Sequence, residues 1–536
     1  MMRQQKELSR IIGDTLPVSA RFALIALLAA LYLFNAFELR LWLESEIPTG
    51  PDQQCYFRQA QLFHEKGLIG GLDTESDFDG TRYLIAKAKA ANPAGNPDPE
   101  WENAITPECH RYKRVTDKVI SQYPPGTGFL LALFPEGKQV RMLYLVIETI
   151  IFGWFAYLLW FAPNSGAALL LGAFGCFAVI QLNYEGYMSF SLAPSMLACM
   201  LMAYCTVQFL ACEDARRRAL FAAICGALLG LSVSLRTANI LLAGGYMLVF
   251  ADMCLRKRQW KMFPAALAFG AALLVALVPS LAANAINAGS PFATTYGGGD
   301  AAQPVLTWKQ ISDAIDYHFF GEGIGYVFDA GMATTVVFEI GRRLLRLKTV
   351  PYLSFINTAT WTIAAAYYLT HSILNSYYLI PTALFSMSLI VFGLCAGMQS
   401  PSRRTADESF GRLAAACAVS VLGILTIAAW GLTLGDGPKP GEPLPALEKN
   451  AIVWADPSGG LFSYYLKQST ALLDRVSPAL QTRIMTAVAQ DGRPQYLIAD
   501  CDLMKALIAR TAGAVRAGNM FGYEAYRLEP HTVAIR

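Results

Sequence analysis

The chain has 536 residues, of which 54% are hydrophobic and only 15% charged, with a formal net charge of +3. That is too little charge to clothe a soluble globule of this length, and the near-neutral balance gives no argument for a nucleic-acid partner. Repeated apolar runs near 20 residues, each able to cross a ~30 Å hydrocarbon core, point instead to an integral membrane protein.

The amino end (residues 1–21) carries Arg3, Lys6, Arg10 and Arg21 ahead of an apolar run, Phe22 to Trp42. No small-residue cleavage site follows, so this run is expected to be an anchor with its amino end in the cytoplasm. About eleven spans are expected, at 22–43, 141–161, 166–182, 188–211, 219–236, 238–253, 262–282, 322–340, 349–369, 376–398 and 411–432. Basic residues mark the cytoplasmic ends of spans. They cluster at Arg216–Arg218, at Arg256–Arg258 with Lys261, at Arg342, Arg343, Arg346 and Lys348, and at Arg403, Arg404 and Arg412. This pattern places a large loop (44–140), the 283–321 loop and the carboxyl tail on the outside, which is the periplasm if the cell is a diderm bacterium. The eighth span, holding Asp329 and Glu339, is the one that could instead lie along the interface.

Within the large loop, Asp52 follows Pro51 and precedes Gln53–Lys66, which reads as a short amphipathic helix stopped by Gly67. Tyr56, Ala60 and Phe63 share a face at helical spacing, so the helix is expected to lie on the membrane surface. Residues 92–100, rich in Pro and Asn, are expected to be irregular. A basic patch follows, with His110, Arg111, Lys113 and Arg114, and Tyr123-Pro124-Pro125-Gly126 breaks the chain before a short apolar piece, Phe129–Phe134. Residues 433–450 read as a Gly/Pro-rich linker. The tail, 451–536, reads as a small α/β domain, with strands at Ala451–Ala455 and Tyr496–Asp500 and helices at Leu461–Leu473 and Asp502–Thr511.

Most of the eleven cysteines fall in spans, where a thiol is a small apolar side chain. Cys55 and Cys109 share the outside loop, so the topology permits a disulfide, but spacing alone does not establish one. Asp52 can take a proton from an acceptor hydroxyl; equally, it can cap the helix behind it. Glu185, after the third span, faces the same side and is otherwise an interfacial carboxylate. Arg236 ends the fifth span there, suited to a phosphate at headgroup depth or simply to snorkelling. Asn284, Asn287 and Tyr296 form a Gly/Pro turn after the seventh span. Glu75, Asp77, Asp79 and Gly80 imitate a calcium loop, but Ala86 stands where a bidentate Glu is needed. Asp77 and Asp79 also imitate an Asp-x-Asp nucleotide-sugar motif, on a side where nucleotide sugars are absent. No His/Cys group has zinc spacing.

Taken together, these pieces resemble the GT-C superfamily of polytopic glycosyltransferases that use polyprenyl-phosphate-linked sugars. The resemblance rests on Pro51-Asp52 opening the long loop and on Tyr123-Pro124-Pro125-Gly126-Thr127-Gly128. It extends to Glu185 with Ser189–Ala193, to Gly226–Asn239 ending in Arg236-Thr-Ala-Asn239, to Asn287-Ala-Gly-Ser-Pro-Phe with Tyr296, and to Ser376-Tyr377-Tyr378-Leu379-Ile380-Pro381. It covers most of residues 20–400. Ser376 stands where many relatives have Arg, which shifts phosphate binding to Arg236 or to the Arg111–Arg114 patch. No second acidic residue accompanies Asp52, which argues against a metal-dependent version.

The resemblance implies inverting transfer from a polyprenyl-phosphate-sugar donor to an envelope lipid, polysaccharide or protein acceptor, at the outer face of a bacterial inner membrane. It implies Asp52 as general base, Glu185 as its companion and Arg236, Lys113, Arg114 and Arg111 on the donor phosphate. Tyr123, His110, Asn287, Tyr296 and Tyr378 would contact substrate, with no metal or other cofactor. A transporter or flippase remains open, although the charges gather on one outer face rather than at the midplane. A non-catalytic envelope assembly protein also remains open.

Overall fold

The computed structural model describes residues 16–45, 51–75, 79–91, 106, 109–184, 189–296, 307–320, 326–344, 350–371, 378–397, 447–448, 450–456, 469–472, 478–520, 523–528 and 534–535. The chain divides into two compact units. One takes residues 1–42, 140–278 and 302–435; the other takes 43–139, 279–301 and 436–536. In chain order the first elements are α1 (Val18–Ser45), α2 (Pro51–Gly70), α3 (Asp79–Ala91), β1 (His110–Lys113), β2 (Lys118–Ser121) and α4 (Pro125–Ala132). The central helices are α5 (Gln139–Trp160), α6 (Ser165–Tyr184), α7 (Leu192–Ala211), α8 (Ala215–Leu235), α9 (Leu241–Ala251) and α10 (Phe263–Ala288). Then come α11 (Trp308–Phe320), α12 (Tyr326–Leu344), α13 (Leu353–Thr370) and α14 (Ile380–Gly397). The tail holds β3 (Ile452–Ala455), β4 (Ser469–Leu472), α15 (Pro478–Gln490), β5 (Gln495–Ile498), α16 (Asp502–Arg510), β6 (Thr511–Ala512), β7 (Ala514–Met520), β8 (Tyr523–Leu528) and β9 (Ala534–Ile535).

The first unit is helical, as an apolar chain must be where lipid offers no partner to backbone N–H and C=O groups. Each expected span from the first to the tenth falls on a described helix; the eleventh, 411–432, lies outside the described residues. Among the described residues, six stretches are long and apolar enough to cross a membrane: Val18–Phe37, Gln139–Trp160, Leu192–Ala211, Ala215–Leu235, Thr237–Arg256 and Trp260–Ala288. Ser165–Ile180 and Ile380–Ala396 are apolar but shorter. The sixth span is composite. A 3₁₀ turn (Thr237–Ile240) leads into α9, which ends in a π turn (Asp252–Arg256). The 283–321 loop is not wholly irregular, because α11 occupies Trp308–Phe320.

Small residues set the close approach of helices here, as expected where lipid supplies no hydrophobic drive between them. A Cβ on Gly226 of α8 would stand 2.1 Å from the Phe269 carbonyl oxygen of α10, and one on Gly230 would stand 2.6 Å from Ala276 Cβ. Hydroxyls and amides tie other helices. Ser386 of α14 donates to Asn357 Oδ1 of α13 (2.5 Å), and Trp361 Nε1 donates to Ser386 Oγ (2.8 Å) and Thr335 Oγ1 (3.0 Å). Fully buried Glu148 of α5, passed over in the sequence, has neither carboxyl oxygen hydrogen-bonded among the described residues.

The second unit is mixed. Its five-stranded sheet has the order β4-β3-β5-β8-β7, with β3 parallel to β4 and β5, and β8 antiparallel to β5 and β7. Alternation along β3 sends Ile452 and Trp454 to one face and Val453 and Ala455 to the other, and both faces are buried. The face bearing Trp454 packs with Leu84, Ile85 and Ala88 of α3 and with Ile484 and Val488 of α15. The 44–140 loop and the tail therefore share one core. Residues 469–472, expected in a helix, pair with β3 as β4; the rest of that expected helix lies outside the described residues, as does 433–446 of the linker. Strands β3 and β5 and helix α16 fall where the sequence puts them, while α15 and the β7–β8 hairpin were not foreseen.

One expectation for α2 is overturned. Its apolar face does not lie on the membrane: Tyr56, Ala60 and Phe63 are 3%, 0% and 8% exposed. Protein covers them. Tyr56 meets the Tyr123 ring at 4.9 Å and Phe63 meets Phe129 of α4 at 5.7 Å. Gly67, with φ of 73°, breaks the helix where expected, although one further turn follows it.

Candidate functional site

Helix α2 begins at Pro51, whose fixed φ and missing N–H suit a first helical position. Asp52 consequently lies inside the first turn, not in the capping position before it. A carboxylate there also suits the positive end of the helix dipole. The Asp52 side chain and residues 185–188, including Glu185, lie outside the described residues, as do Ser376 and Tyr377.

The elements around the start of α2 are tightly held. Cys55, three residues after Asp52, is disulfide-bonded to Cys109, next to the start of β1. Closing a loop across 54 residues stabilises a fold by about 4 kcal/mol in the chain-entropy estimate. His110 is buried beside the bridge, with Nδ1 4.0 Å from Cys55 Sγ. Cys55, Cys109 and His110 bring three possible metal donors within 4.8 Å of one another. The bridge takes both sulfurs, so a metal there would have to compete with the disulfide.

The basic patch is a hairpin, β1 paired antiparallel with β2, which the short polar sequence did not reveal. Lys113 donates to the Tyr296 carbonyl oxygen at 2.8 Å, and Arg111 is half-buried while Arg114 is exposed. Glu75, which imitates the start of a calcium loop, is ion-paired with Arg82 and with Lys118 (3.8 Å). Asp77 lies outside the described residues.

Three tyrosines gather here. Tyr123 lies between Tyr56 and Tyr296, with ring centroids at 4.9 Å and 6.0 Å. Tyr56 stands one helical turn after Asp52. Gln59, not singled out from the sequence, fixes Tyr123: its Nε2 donates to the Tyr123 carbonyl oxygen at 2.7 Å. The Pro-Pro-Gly-Thr-Gly segment has a local physical cause. Pro125 opens α4, and a Cβ on Gly128 would stand 2.4 Å from Gln59 Cβ. Asn287 is a staple. Its Oδ1 accepts from Thr74 N (3.0 Å) and its Nδ2 donates to the carbonyls of Leu72 and Ala283 (both 2.8 Å). Asn284 Nδ2 donates to the Pro291 carbonyl across the same turn.

The first unit has its own polar centre. Arg236, at the carboxyl end of α8, is 6% exposed. Its Nη1 donates to Ser191 Oγ at 2.9 Å, and its guanidinium lies 4.7 Å from the centroid of the Tyr378 ring. Ser191 also meets Ser189 Oγ at 3.0 Å. Asn239, three residues on, donates to Ser232 O (2.9 Å) and Ser195 Oγ (3.4 Å), which fixes the 3₁₀ turn behind the arginine. Tyr368, also unforeseen, donates to the Tyr378 carbonyl at 3.3 Å. The Arg-Thr-Ala-Asn spacing was the legible part; Ser189 and Ser191, which complete the centre, come from the turn before α7.

No family model matches the chain, and no curated protein matches it. Among solved structures, the chain is similar to ArnT from Cupriavidus metallidurans. For the apo form the identity is 14%, covering 87% of this chain and 96% of that one, with a TM-score of 0.42. For the form bound to undecaprenyl phosphate the identity is 15%, covering 95% and 99%, with a TM-score of 0.41. It is also similar to the apo oligosaccharyltransferase of Archaeoglobus fulgidus, at 13% identity, covering 88% and 69%, with a TM-score of 0.27.

Proposed function

We propose that the protein is a membrane glycosyltransferase that moves a sugar from a polyprenyl-phosphate donor to an envelope acceptor on the outer face of a bacterial inner membrane. The observation that carries this reading is the Arg236 centre. A buried guanidinium at the end of a spanning helix, held by a serine hydroxyl and an aromatic face, is suited to a phosphate arriving at headgroup depth. A lipid phosphate is already a fair leaving group, so the protein's task is to hold it and neutralise the charge that develops on it.

In this proposal Asp52 takes the proton from the acceptor hydroxyl as that oxygen attacks the anomeric carbon. The anomeric C–O bond to the phosphate breaks, the configuration inverts, and the polyprenyl phosphate departs as an anion. Glu185 positions the acceptor. The Tyr56–Tyr123–Tyr296 group offers apolar ring faces of the kind that sugars pack against. Lys113 has its ammonium on the Tyr296 carbonyl, so its part is to hold that loop. The acceptor is a lipid, a polysaccharide or a protein of the envelope.

The test is deletion of the gene, mass spectrometry of envelope glycans and glycolipids, and complementation at matched expression. Wild type should restore a fixed sugar mass that the deletion loses, and Asp52→Asn should be present in the membrane yet fail to restore it. Full restoration by Asp52→Asn would reduce Asp52 to a helix-start residue. No mass change on deletion would turn the reading toward transport or assembly.

A further inference from the structure

The parallel run of α8 and α10 has a consequence at their amino ends. The close approaches pair Gly226 with Phe269 and Gly230 with Leu273 and Ala276, so both numbers rise together. Parallel helices put the turns that precede them at the same end. Arg218 fastens those turns: its Nε and Nη2 donate to the Cys212 carbonyl at 2.9 and 2.6 Å, and its Nη1 to Met262 Sδ at 3.3 Å. Two helix amino ends, each the positive end of a dipole, thus stand together.

The charges there are unequal in number. Between Cys212 and Met262 the two turns carry seven Lys and Arg against Glu213, Asp214 and Asp252. Asp214 is committed to capping α8, accepting from Arg217 N at 2.8 Å. Asp252 is committed to Arg256, to Lys257 at 3.4 Å and to the Tyr352 hydroxyl at 2.9 Å. Arg216, Arg217, Arg258 and Lys261 are exposed and make no ion pair among the described residues. Arg258 has φ of 51°, a left-handed conformation that a bulky residue rarely adopts. Beside these cations Trp260 is 63% exposed and Phe263 53% exposed, an aromatic pair at the foot of a span.

We propose that this end of the first unit binds the headgroup of an anionic phospholipid. The headgroup phosphate is held by Arg216, Arg217, Arg258 and Lys261, and the upper acyl chains lie against Trp260 and Phe263. Mere topology needs only that basic residues lie on this side. The fastening by Arg218, the left-handed Arg258 and the exposed aromatics add a fixed geometry that matches a molecule with a charged head and apolar tails. The inference is independent of the transferase reading.

The experiment uses the full chain purified in detergent. Phosphatidylglycerol or cardiolipin is titrated in, with phosphatidylcholine and inorganic phosphate as separate arms. Retained lipid is counted by native mass spectrometry and the melting temperature is followed. The anionic lipids should be retained and raise the melting temperature, while phosphatidylcholine and phosphate should do neither. The combined variant Arg216→Gln, Arg217→Gln, Arg258→Gln and Lys261→Gln should bind anionic lipid about tenfold or more weakly. Removing Lys505, Arg510 and Arg516 by the same change should leave binding intact. If the fourfold variant does not melt cooperatively, the paired variants Arg216→Gln/Arg217→Gln and Arg258→Gln/Lys261→Gln replace it, each losing severalfold. Wild-type binding by these variants, or equal retention of phosphatidylcholine, or phosphate matching the lipids, overturns the proposal.

Discussion

Asn287 shows how a residue singled out for binding can be committed to structure. It is 1% exposed, and its amide bonds reach Thr74, Leu72 and Ala283. Its backbone carbonyl also accepts from Thr116 Oγ1 at 2.9 Å. Removing the amide strands the buried Thr74 N–H, and such an orphan costs about 1–3 kcal/mol. Asn287→Ala should therefore lower the melting temperature clearly. Asn287→Asp keeps the acceptor but sets a second carboxylate oxygen against the Leu72 and Ala283 carbonyls, so at neutral pH it should melt no higher than Asn287→Ala. Equal melting of Asn287→Ala and wild type would show that the staple is not needed. The sequence made Asn287, Tyr123 and Arg236 visible because rare polar residues beside apolar runs stand out. It hid Gln59, and although Ser191 lies within the Ser189–Ala193 stretch its part beside Arg236 stayed hidden, because one polar side chain among many acquires its role only from what folds against it.

Periodicity at the level of elements tells which face of a helix is apolar, not what covers that face. The Tyr56, Ala60, Phe63 stripe was legible; that α4 rather than lipid covers it was not, since both coverings select the same residues. Strands β1 (His-Arg-Tyr-Lys) and β4 (Ser-Thr-Ala-Leu) lack the apolar run that made the equally short β3 and β5 legible, so they escaped notice. The spacing of Gly226 and Gly230 was legible as part of a resemblance, and the structure supplies its physical cause. With the Phe269 carbonyl 2.1 Å from the place a Cβ would take, α8 and α10 must separate to admit even a methyl group. Overpacking of this kind costs about 1–3 kcal/mol. Gly226→Ala should lower the melting temperature in the same detergent. Gly270→Ala, where a Cβ meets nothing within 4 Å, is its control and should melt like wild type. Matching losses from both would mean that the contact at Gly226 is not what the substitution disturbs, since Ala is the better helix former at either position.

For the molecule as a whole, the joining of the 44–140 loop to the tail was beyond the sequence, because it couples residues some 400 positions apart. Tyr83 of α3 donates to Asp491 Oδ2 at 2.8 Å, Lys87 pairs with the same oxygen at 2.5 Å, and Arg493 lies 3.8 Å from the Tyr83 ring centroid. The hydrogen bond from Lys87, then that from Tyr83, holds the Asp491 carboxyl below its ordinary value of 3.8. Burial, then the bond to Asp491, pushes the Tyr83 hydroxyl above the usual tyrosine range. A carboxyl lowered by folding contributes stability above its unfolded value, and that contribution is lost as the pH falls through the folded value. Tyr83 has the opposite sign, so its contribution is present at neutral pH and lost only in strong alkali. Melting temperatures of wild type and Asp491→Asn should therefore differ at pH 7 and converge between about pH 5 and pH 2. The group is exposed to solvent, so the gap should be modest and should narrow with added salt. A gap that stays constant down to pH 2 would mean that the substitution acts through packing. The joint between loop and tail would then depend on the apolar core around Trp454 alone.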